Sequence, residues 1–356
     1  MTSTPRDALV VGGGIIGLTA SFTLAREGWR VTMFDPTPGK GATWAAAGMI
    51  APLGEVAPGE EENFLRQRGA LAEWRTLSSR IADVTGEGVH LMETGTLIVG
   101  YDASDRRLVS QFSIVATSYG ALPLDVSRES HETLFEGLSP RIRHGLLLEG
   151  DAWLDPDQAV EVLTRAIEEL GVTVVHQQVC RAATILNRVE VRTDDGIYEG
   201  DLGILATGAT ALPQGVGGKV VNSVRPVRGM TVRVQGLDRS SLPTVRAFVR
   251  GRSFYMVSRP GGYCVLGASS DEHEELIVEV GDLQRLLRDA LDVVPSLEVA
   301  AFVETRQGLR PASKDLSPFF EVIEDRWAWS SGHYRHGVTL APFAAKEILA
   351  FAQGLT

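Results

Sequence analysis

Residues 7–35 of this 356-residue chain read DALVVGGGIIGLTASFTLAREGWRVTMFD. The short apolar run over residues 8–11 is typical of a strand buried on both faces. Closely spaced glycines and an apolar, helix-forming segment follow, and Gly28 stands where a helix would end in a glycine cap. Residues 29–35 then alternate and finish on an acid. The stretch therefore predicts a strand, a tight turn, a helix and a second strand, as in the first unit of an α/β sheet.

The glycines of this unit fit the spacing G-x-G-x-x-G at Gly12, Gly14 and Gly17. The first would permit the tight turn, the second a close approach of backbone to a pyrophosphate, and the third close packing of helix on strand. Asp35 ends the second strand, where a carboxylate can bind both ribose hydroxyls and repel a 2′-phosphate. The pattern predicts dinucleotide binding; the alternative is a glycine-rich turn in another kind of α/β protein, and FAD and NAD are not separated.

Composition narrows the function classes. The chain is 44% hydrophobic and 22% charged, which is typical of a globular protein, and its length fits two domains or one elaborated α/β domain. A net charge of −11 gives no support to nucleic-acid or membrane-surface binding. Two distant cysteines, Cys180 and Cys264, predict neither a disulfide framework nor a zinc site, so a cytoplasmic protein is expected.

A run of small residues, GKGATWAAAGMIAP, occupies residues 39–52. Small side chains allow main chain to approach a bulky flat ligand, and the Thr43 hydroxyl can bind phosphate oxygens. The same run is equally consistent with an alanine-rich segment packed on the sheet. The sequence leaves both interpretations open.

The rest of the chain alternates helical and strand patterns. Helices are expected over residues 60–85 and 104–119, and a third begins at Asp155 and ends at Gly171. The strand that follows would bring Val179 to the adenine side of the crevice. A later apolar strand ends in ATG at residues 206–208, which would place Ala206 and Gly208 beside a cofactor.

Residues 224–311 are rich in alternating segments and predict a second, largely antiparallel β domain. In this region Arg310 precedes Pro311 in GLRPASKD and is expected to project from a rigid turn at a strand end, where its guanidinium could hold a carboxylate in a bidentate pair. The alternative is a structural arginine that forms a salt bridge or caps a backbone carbonyl. Tyr255, on an alternating strand, could add a phenolic hydrogen bond or serve only in packing.

A pair of histidines near the C-terminus, His333 and His336, has the spacing of a helical metal site. Gly332 and Gly337 bracket the pair, and no further Cys, His or acidic ligand lies in that stretch. We therefore expect no metal, and instead a turn whose backbone N–H groups face a phosphate or an electron-rich ring.

The motifs GGGIIG, GATWAAAGMIAP, PVRGM, FYMVSRPGGYCVLGAS, GLRPASKD and GHYRHG occur in this order along the whole chain. In this it resembles the FAD-dependent glycine oxidases of thiamin biosynthesis, within the D-amino-acid oxidase and sarcosine oxidase superfamily. The resemblance implies a D-amino-acid oxidase-like α/β fold. A Rossmann-like FAD-binding domain would comprise residues 1–85, 145–220 and 305–356, and a largely antiparallel β substrate domain residues 86–144 and 221–304.

The resemblance also implies a noncovalent FAD and a set of residues that contact it. Arg310 would bind the substrate carboxylate, with Tyr255 and Arg335 assisting. The implied cofactor contacts, beyond the glycines and Asp35 above, are Ile15, Ile16, Pro36, Ala42, Thr43, Ala47, Gly48, Met49, Val179, Ala206, Gly208, Gly332, His333, Tyr334, Arg335, His336, Gly337, Val338 and Thr339.

The implied reaction is oxidative deamination of glycine, sarcosine or another N-substituted glycine or small amino acid, by hydride transfer from Cα to flavin N5. Oxygen would be reduced to hydrogen peroxide, and no protein base would be needed at Cα. The alternatives are a D-amino-acid oxidase or carrier-linked dehydrogenase and, in another class, a non-catalytic dinucleotide-binding protein. Homo-oligomerisation is left open. The chain departs from its relatives at His336, where they usually carry Asn, and at the PFF after the arginine turn.

Overall fold

The computed structural model describes residues 6–216, 220 and 222–355. Its helices are α1 Ile15–Arg26, α2 Ala42–Ala45, α3 Glu61–Gln67, α4 Ala70–Thr85, α5 Ala103–Ser118, α6 Pro156–Glu169, α7 Val280–Val293 and α8 Gly337–Gly354. Its strands are β1 Asp7–Val11, β2 Arg30–Phe34, β3 Met49–Ile50, β4 Leu91–Met92, β5 Thr96–Gly100, β6 Leu124–Ser127, β7 His144–Leu148, β8 Ala152–Leu154, β9 Thr173–Val175, β10 Arg181–Ile185, β11 Arg188–Arg192, β12 Ile197–Gly200, β13 Leu202–Leu205, β14 Gln214–Gly215, β15 Arg225–Gln235, β16 Thr244–Val249, β17 Arg252–Arg259, β18 Tyr263–Gly267, β19 Ala301–Ala312, β20 Phe319–Ile323 and β21 Trp327–Ser331.

The first sheet has the strand order β20-β21-β13-β1-β2-β9, and every pairing except β20 with β21 is parallel. Helices α1, α4, α6 and α8 pack together beside it around a large apolar core. Because β1 lies between β2 and β13, the carboxyl ends of the three strands meet at one edge, which is where ligands bind in open α/β sheets. The predicted strand, turn, helix and strand over residues 7–35 are confirmed.

The second large sheet has the order β19-β15-β18-β17-β16-β5-β7-β6 and is antiparallel except where β16 meets β5. The predicted combination of a Rossmann-like sheet with a largely antiparallel one is thus confirmed. Strand β7 spans the predicted domain boundary at 144/145 and β19 the one at 304/305, and residue 221 of the third boundary lies outside the described residues. The division into domains stays a prediction.

Local expectations needed three corrections. The helix predicted over residues 60–85 is two helices, with Gly69 as the N-cap of α4. Strand β9 ends at Val175, where the N–H of Gln177 turns back to the Val175 carbonyl, so Val179 follows the strand instead of ending it. Arg310 lies within β19, which continues through Pro311 to Ala312, because a proline is tolerated in a strand at the edge of a sheet.

Other predictions held. Helix α6 begins at Pro156 with Asp155 as N-cap, whose carboxylate accepts the N–H of Asp157 at 3.0 Å. Helix α5 and the final strand, turn and helix are present. The remaining strands form two smaller sheets, with the orders β12-β11-β10-β14 and β3-β8-β4. None of the helices in the described part of the chain is long and apolar enough to cross a bilayer.

Candidate functional site

A cavity of about 930 Å³ runs from the carboxyl edge of the first sheet onto one face of the second. At the first sheet it is lined by the turn after β1, the end of β2 and the segment after β13. At the second sheet it is lined by residues of β5, β15, β16, β17 and β19. The fold therefore brings the predicted nucleotide-binding and carboxylate-binding segments into one continuous space.

The glycine turn opens this cavity because side chains would not fit there. Gly12 has a φ of +105°, and a Cβ on it would lie 2.3 Å from the Ala206 carbonyl oxygen. A Cβ on Gly17 would lie 1.8 Å from the carbonyl oxygen of Gly12, so this glycine allows α1 to pack against the turn. Gly14 caps α1 without a side-chain hydrogen bond among the described residues. The first turn of α1 thus presents N–H groups and the positive end of the helix dipole to the cavity.

Asp35 lies opposite the turn at the end of β2. One carboxylate oxygen accepts the N–H of Gly13 at 2.6 Å and the other the N–H of Thr37 at 2.8 Å. These bonds fix the side chain at the cavity wall. An anionic acceptor held there can bind ribose hydroxyls.

The small-residue run is packed on one side and open on the other. A Cβ on Gly308 of β19 would lie 2.9 Å from Ala42 Cα and 3.0 Å from Ala45 Cβ, so α2 rests directly on that strand. The Thr43 hydroxyl accepts the N–H of Ile15 at 3.0 Å. Residues Ala42, Thr43 and Ala45 to Met49 nevertheless line the cavity. The two interpretations that the sequence left open therefore describe opposite sides of one segment.

Arginines beneath this run hold its carbonyl groups. Arg233 and Arg306 donate to the Trp44 carbonyl at 3.3 and 3.1 Å, and Arg259 donates to the Ala47 carbonyl at 3.2 Å. Burial, followed by the charge of Arg306, lowers the pKa of Arg233 to about 10. The carbonyl groups are thereby turned away from the cavity side of the run.

Arg310 and Tyr255 face the same part of the cavity. The Arg310 guanidinium lies against Gly229 and donates to the Ser269 carbonyl at 3.2 Å. Within the part of the chain that the structure describes, no carboxylate pairs with it. Burial raises the pKa of Tyr255, with Arg310 opposing that rise, so the phenol is a neutral donor beside a free guanidinium.

Arg335 lines the cavity, but its guanidinium is engaged. It pairs with the Glu60 carboxylate at 2.8 Å and also donates to the Glu55 carbonyl at 3.3 Å. Its predicted assistance to the substrate remains a prediction, since the structure uses its charge to hold the segment between β3 and α3.

His336 is absent from the cavity lining, and its ring lies against a buried acid. Its Nδ1 lies 3.2 Å from a Glu55 oxygen, and Arg246 Nη1 lies 3.2 Å from the other. Burial opposes ionisation of Glu55, but the close contact with His336 and the charge of Arg246 outweigh it and lower the pKa to about 2. Glu55 is therefore an anion in a paired network.

Asp151 binds the backbone next to Glu55. Its two oxygens accept the N–H groups of Leu53 and Gly54 at 3.0 and 2.8 Å. Burial raises the pKa of Asp151 to about 7, against the hydrogen bond from Thr96 and those from the backbone. Residues 53–60 are thus fixed by side chains from separate elements.

Most predicted site residues line the cavity. Arg310, Tyr255 and Arg335 do so, as do Gly12, Gly14, Ile15, Ile16, Asp35, Pro36, Ala42, Thr43, Ala47, Gly48, Met49, Val179, Ala206, Gly208, His333, Tyr334, Gly337 and Val338. Gly17, Gly332, His336 and Thr339 are not in its lining. Thr339, for example, donates to the Met49 carbonyl at 3.2 Å. The cofactor contacts expected of these four residues stay predictions.

Sequence reasoning missed Glu55, Arg246, Gly229 and Gly267. Glycines inside strands were the available signal for the last two, since such a glycine often marks a close approach. Nothing local could reveal that Arg246 meets Glu55, 191 positions earlier.

The histidine pair does not form a metal site in the described residues. No group of three or more His, Cys, Asp or Glu side chains there could hold an ion. Burial, together with His336, lowers the pKa of His333 to about 4, so its ring is neutral at the cavity wall.

Comparison with known proteins agrees with this geometry. The family described as FAD dependent oxidoreductase matches residues 7–350. The chain belongs to this family. It is an FAD-dependent oxidoreductase.

Individual relatives cover nearly the whole chain. A glycine oxidase of Bacillus licheniformis is 28% identical over 97% of this chain and 92% of its own length. The bifunctional protein ThiO/ThiG of Trichormus variabilis is 27% identical over 97% of this chain, which spans 52% of that protein. The glycine oxidase structure from Geobacillus kaustophilus superposes with a TM-score of 0.87, covering 99% of this chain and 95% of that one at 24% identity. The resemblance to glycine oxidases is confirmed.

The cavity fits FAD on three structural grounds. The first turn of α1, with a glycine as its N-cap, suits a pyrophosphate, the fixed Asp35 carboxylate suits a ribose, and the run of small residues leaves room for a flat ring system. The described cysteines do not suit a covalent link, since Cys264 is buried in the core of the second sheet and Cys180 is absent from the cavity lining.

Proposed function

We propose that this oxidoreductase removes two electrons from the Cα–N bond of a small amino acid, with glycine, sarcosine and other N-substituted glycines as the preferred substrates. The observation that carries this proposal is the unpaired guanidinium of Arg310 in the cavity. A half-buried cation without a carboxylate partner is an anion-binding site, and a fork of N–H donors matches a carboxylate.

The neighbouring cations support this assignment by contrast. Arg246 and Arg335 also line the cavity, but each is paired with a glutamate. Their charges are compensated inside the protein, so they do not compete for the substrate carboxylate. Arg310 is thus the residue that binds the carboxylate and fixes the orientation of the substrate.

Tyr255 would complete the binding of the carboxylate. Its pKa is raised by burial, so it stays protonated and donates a hydrogen bond. Two donors from different strands restrict the orientation of the carboxylate, and with it the position of the neighbouring Cα.

FAD would be held without a covalent bond by the turn after β1, by Asp35 and by the small-residue run, and when bound it supplies the two-electron acceptor. The protein contributes orientation, exclusion of water and a positive charge beside the carboxylate. The oxidised substrate is an imine, which water converts to an oxo acid and ammonia or an amine.

We further propose oxygen as the final acceptor, with hydrogen peroxide as the product, and a cytoplasmic location. Oxygen is a small apolar molecule. The small side chains of residues 39–52 and the uncharged His333 and Tyr255 rings favour its access to the site. The two cysteines of the chain are both free thiols, which accords with a reducing compartment.

Oxygen consumption with glycine and sarcosine tests this proposal. The expected result is one peroxide formed per oxygen consumed and per oxo acid released. Rapid anaerobic reduction of the flavin by these substrates without peroxide formation in air would assign the protein to the dehydrogenases instead.

A further inference from the structure

The lining of the cavity continues past the carboxylate-binding residues to one side of α5, the segment over residues 56–58, and side chains of β5 and β16. We call this part of the cavity the apolar arm. It is lined by Leu108, Phe112, Val115, Val56, Ala57, Pro58, Ile98 and Phe248, with Gln111 exposed at its edge.

Helix α5 presents a coherent face to the arm. Leu108, Gln111, Phe112 and Val115 have the spacing i, i+3, i+4, i+7, which places them on one side of a helix. Phe112 packs against two clusters of buried residues, one with Phe64 and Ala116 and the other with Ile98 and Leu146. Packing against both clusters holds this face of α5 in place beside the cavity.

The register of the second sheet locates the arm relative to the substrate. Tyr255 pairs with Arg246, and Arg246 pairs with Ile98, so these residues share one face in a single row. The small-residue run rests on β19 at one end of this row, and α5 covers β5 at the other. The arm thus extends from the carboxylate-binding residues in the direction away from the cofactor segment.

The size of the arm follows from strand spacing. Three strand intervals separate β18, over which the Tyr255 ring lies, from β5. At about 4.8 Å each this is about 14 Å, which is enough for a substituent of several carbons. Arg246 and Glu55 at the floor neutralise one another, so the arm offers no net charge to a charged tail.

We propose that the apolar arm binds an uncharged, apolar substituent of the substrate, so that an amino acid or N-substituted glycine with a tail of several carbons binds more tightly than glycine or sarcosine. This rests on the proposed function, because the tail is located by the carboxylate at Arg310. Burying each methylene of such a tail adds about 0.8 kcal/mol, or about fourfold in affinity.

The test uses the FAD-loaded protein and three unreactive probes: acetate, butanoate and hexanoate. Binding is followed by the change in flavin absorbance. The expected result is a Kd that falls about fourfold for each added methylene. A Kd that is the same for all three acids would overturn the inference and make the arm only an entrance.

Variants of α5 distinguish binding in the apolar arm from a general effect of mutation on the protein. Val115→Asp should flatten the dependence on chain length while leaving the Kd for acetate unchanged. Gln111→Leu, at the exposed edge of the arm, should tighten hexanoate alone. Ile114→Gln is the matched control, because Ile114 is 70% exposed on another side of the same helix, and it should change neither.

The two proposals fail in different ways. If acetate does not bind, or if Arg310→Ala binds all three acids normally, the carboxylate assignment is wrong. If acetate binds through Arg310 but hexanoate binds no better, only the arm is wrong. If Gln111→Leu and Ile114→Gln change hexanoate binding equally, the arm is likewise refuted.

Discussion

The Arg310 guanidinium and the Tyr255 ring occupy the volumes that β-carbons would fill at Gly229 and Gly267. A Cβ on Gly229 would lie 2.3 Å from Arg310 Cζ, and one on Gly267 would lie 2.0 Å from Tyr255 Cζ. Strands β15 and β18 are neighbours in the sheet. Since neither glycine has a side chain, the Arg310 and Tyr255 side chains can lie directly against adjoining parts of this sheet. The geometry proposed to bind the substrate carboxylate therefore depends on two residues that carry no functional group.

Replacing Arg310 by Ala should raise the KM for glycine or sarcosine at least about 100-fold, since two charge-assisted hydrogen bonds are lost. Arg310→Lys should recover only part of this loss, because an ammonium lacks the fork. Steady-state kinetics and flavin content measure both effects. Normal kinetics in the Ala variant would remove Arg310 from the site.

Gly229→Ala should raise KM while FAD stays bound, because the new methyl group displaces the Arg310 guanidinium. Gly308→Ala should instead weaken FAD binding, because its methyl group meets Ala42 backbone at 2.9 Å. Gly354→Ala, with no atom within 4 Å of the new carbon, is the control. Equal effects of the first two changes on FAD affinity would contradict this separation.

Asp35→Ala should weaken FAD binding by about 1 to 3 kcal/mol, since a charged acceptor for the ribose is lost and Gly13 N–H loses its partner. Flavin fluorescence after dilution measures the affinity. Asp83→Ala, which removes an exposed carboxylate from α4, should leave it unchanged. Indistinguishable affinities for the two variants would show that Asp35 does not bind the cofactor.

His336→Ala should destabilise the protein by about 1 to 3 kcal/mol near neutral pH, because a buried Glu55 oxygen loses its partner. His336→Asn should restore most of this, since its amide can still donate. His90→Ala, on the exposed surface, is the control. Denaturant unfolding gives the free energies, and equal losses in the two Ala variants would argue against a special role of His336.

The same network predicts a pH dependence. The folded-state pKa of Glu55 is about 2, below its ordinary value of 4.5, so its ionisation stabilises the fold above pH 4.5. That stabilisation, on the order of 3 kcal/mol, is lost as the pH falls from 4.5 to 2. The loss over this interval should be smaller in His336→Ala. Parallel curves of unfolding free energy against pH for the wild type and the variant would contradict this.

The part of the site that is predicted to bind the nucleotide could be identified from the sequence, because its motif lies within one short segment. Gly12, Gly14, Gly17 and Asp35 act through backbone conformation and a fixed spacing within one βαβ unit, and such features follow from sequence order alone. The motif GHYRHG was placed correctly at the turn before α8, and most of its residues line the cavity.

The remainder depends on contacts between distant segments. His336 was expected beside the cofactor, but its side chain meets Glu55, 281 positions earlier in the chain, and this pairing has no local pattern. Arg310 was assigned to a turn because Pro311 usually ends a strand, whereas its place at a sheet edge removes that restriction. The apolar arm is visible only once α5 is laid over β5.

The most direct test of the account is anaerobic mixing of the FAD-loaded protein with matched pairs of amines that differ only in the carboxylate: glycine with methylamine, and sarcosine with dimethylamine. The account predicts that the flavin colour is bleached by glycine and sarcosine, and that methylamine and dimethylamine leave it unchanged. Bleaching that is equally fast with and without the carboxylate, or no bleaching by either member of each pair, would contradict it.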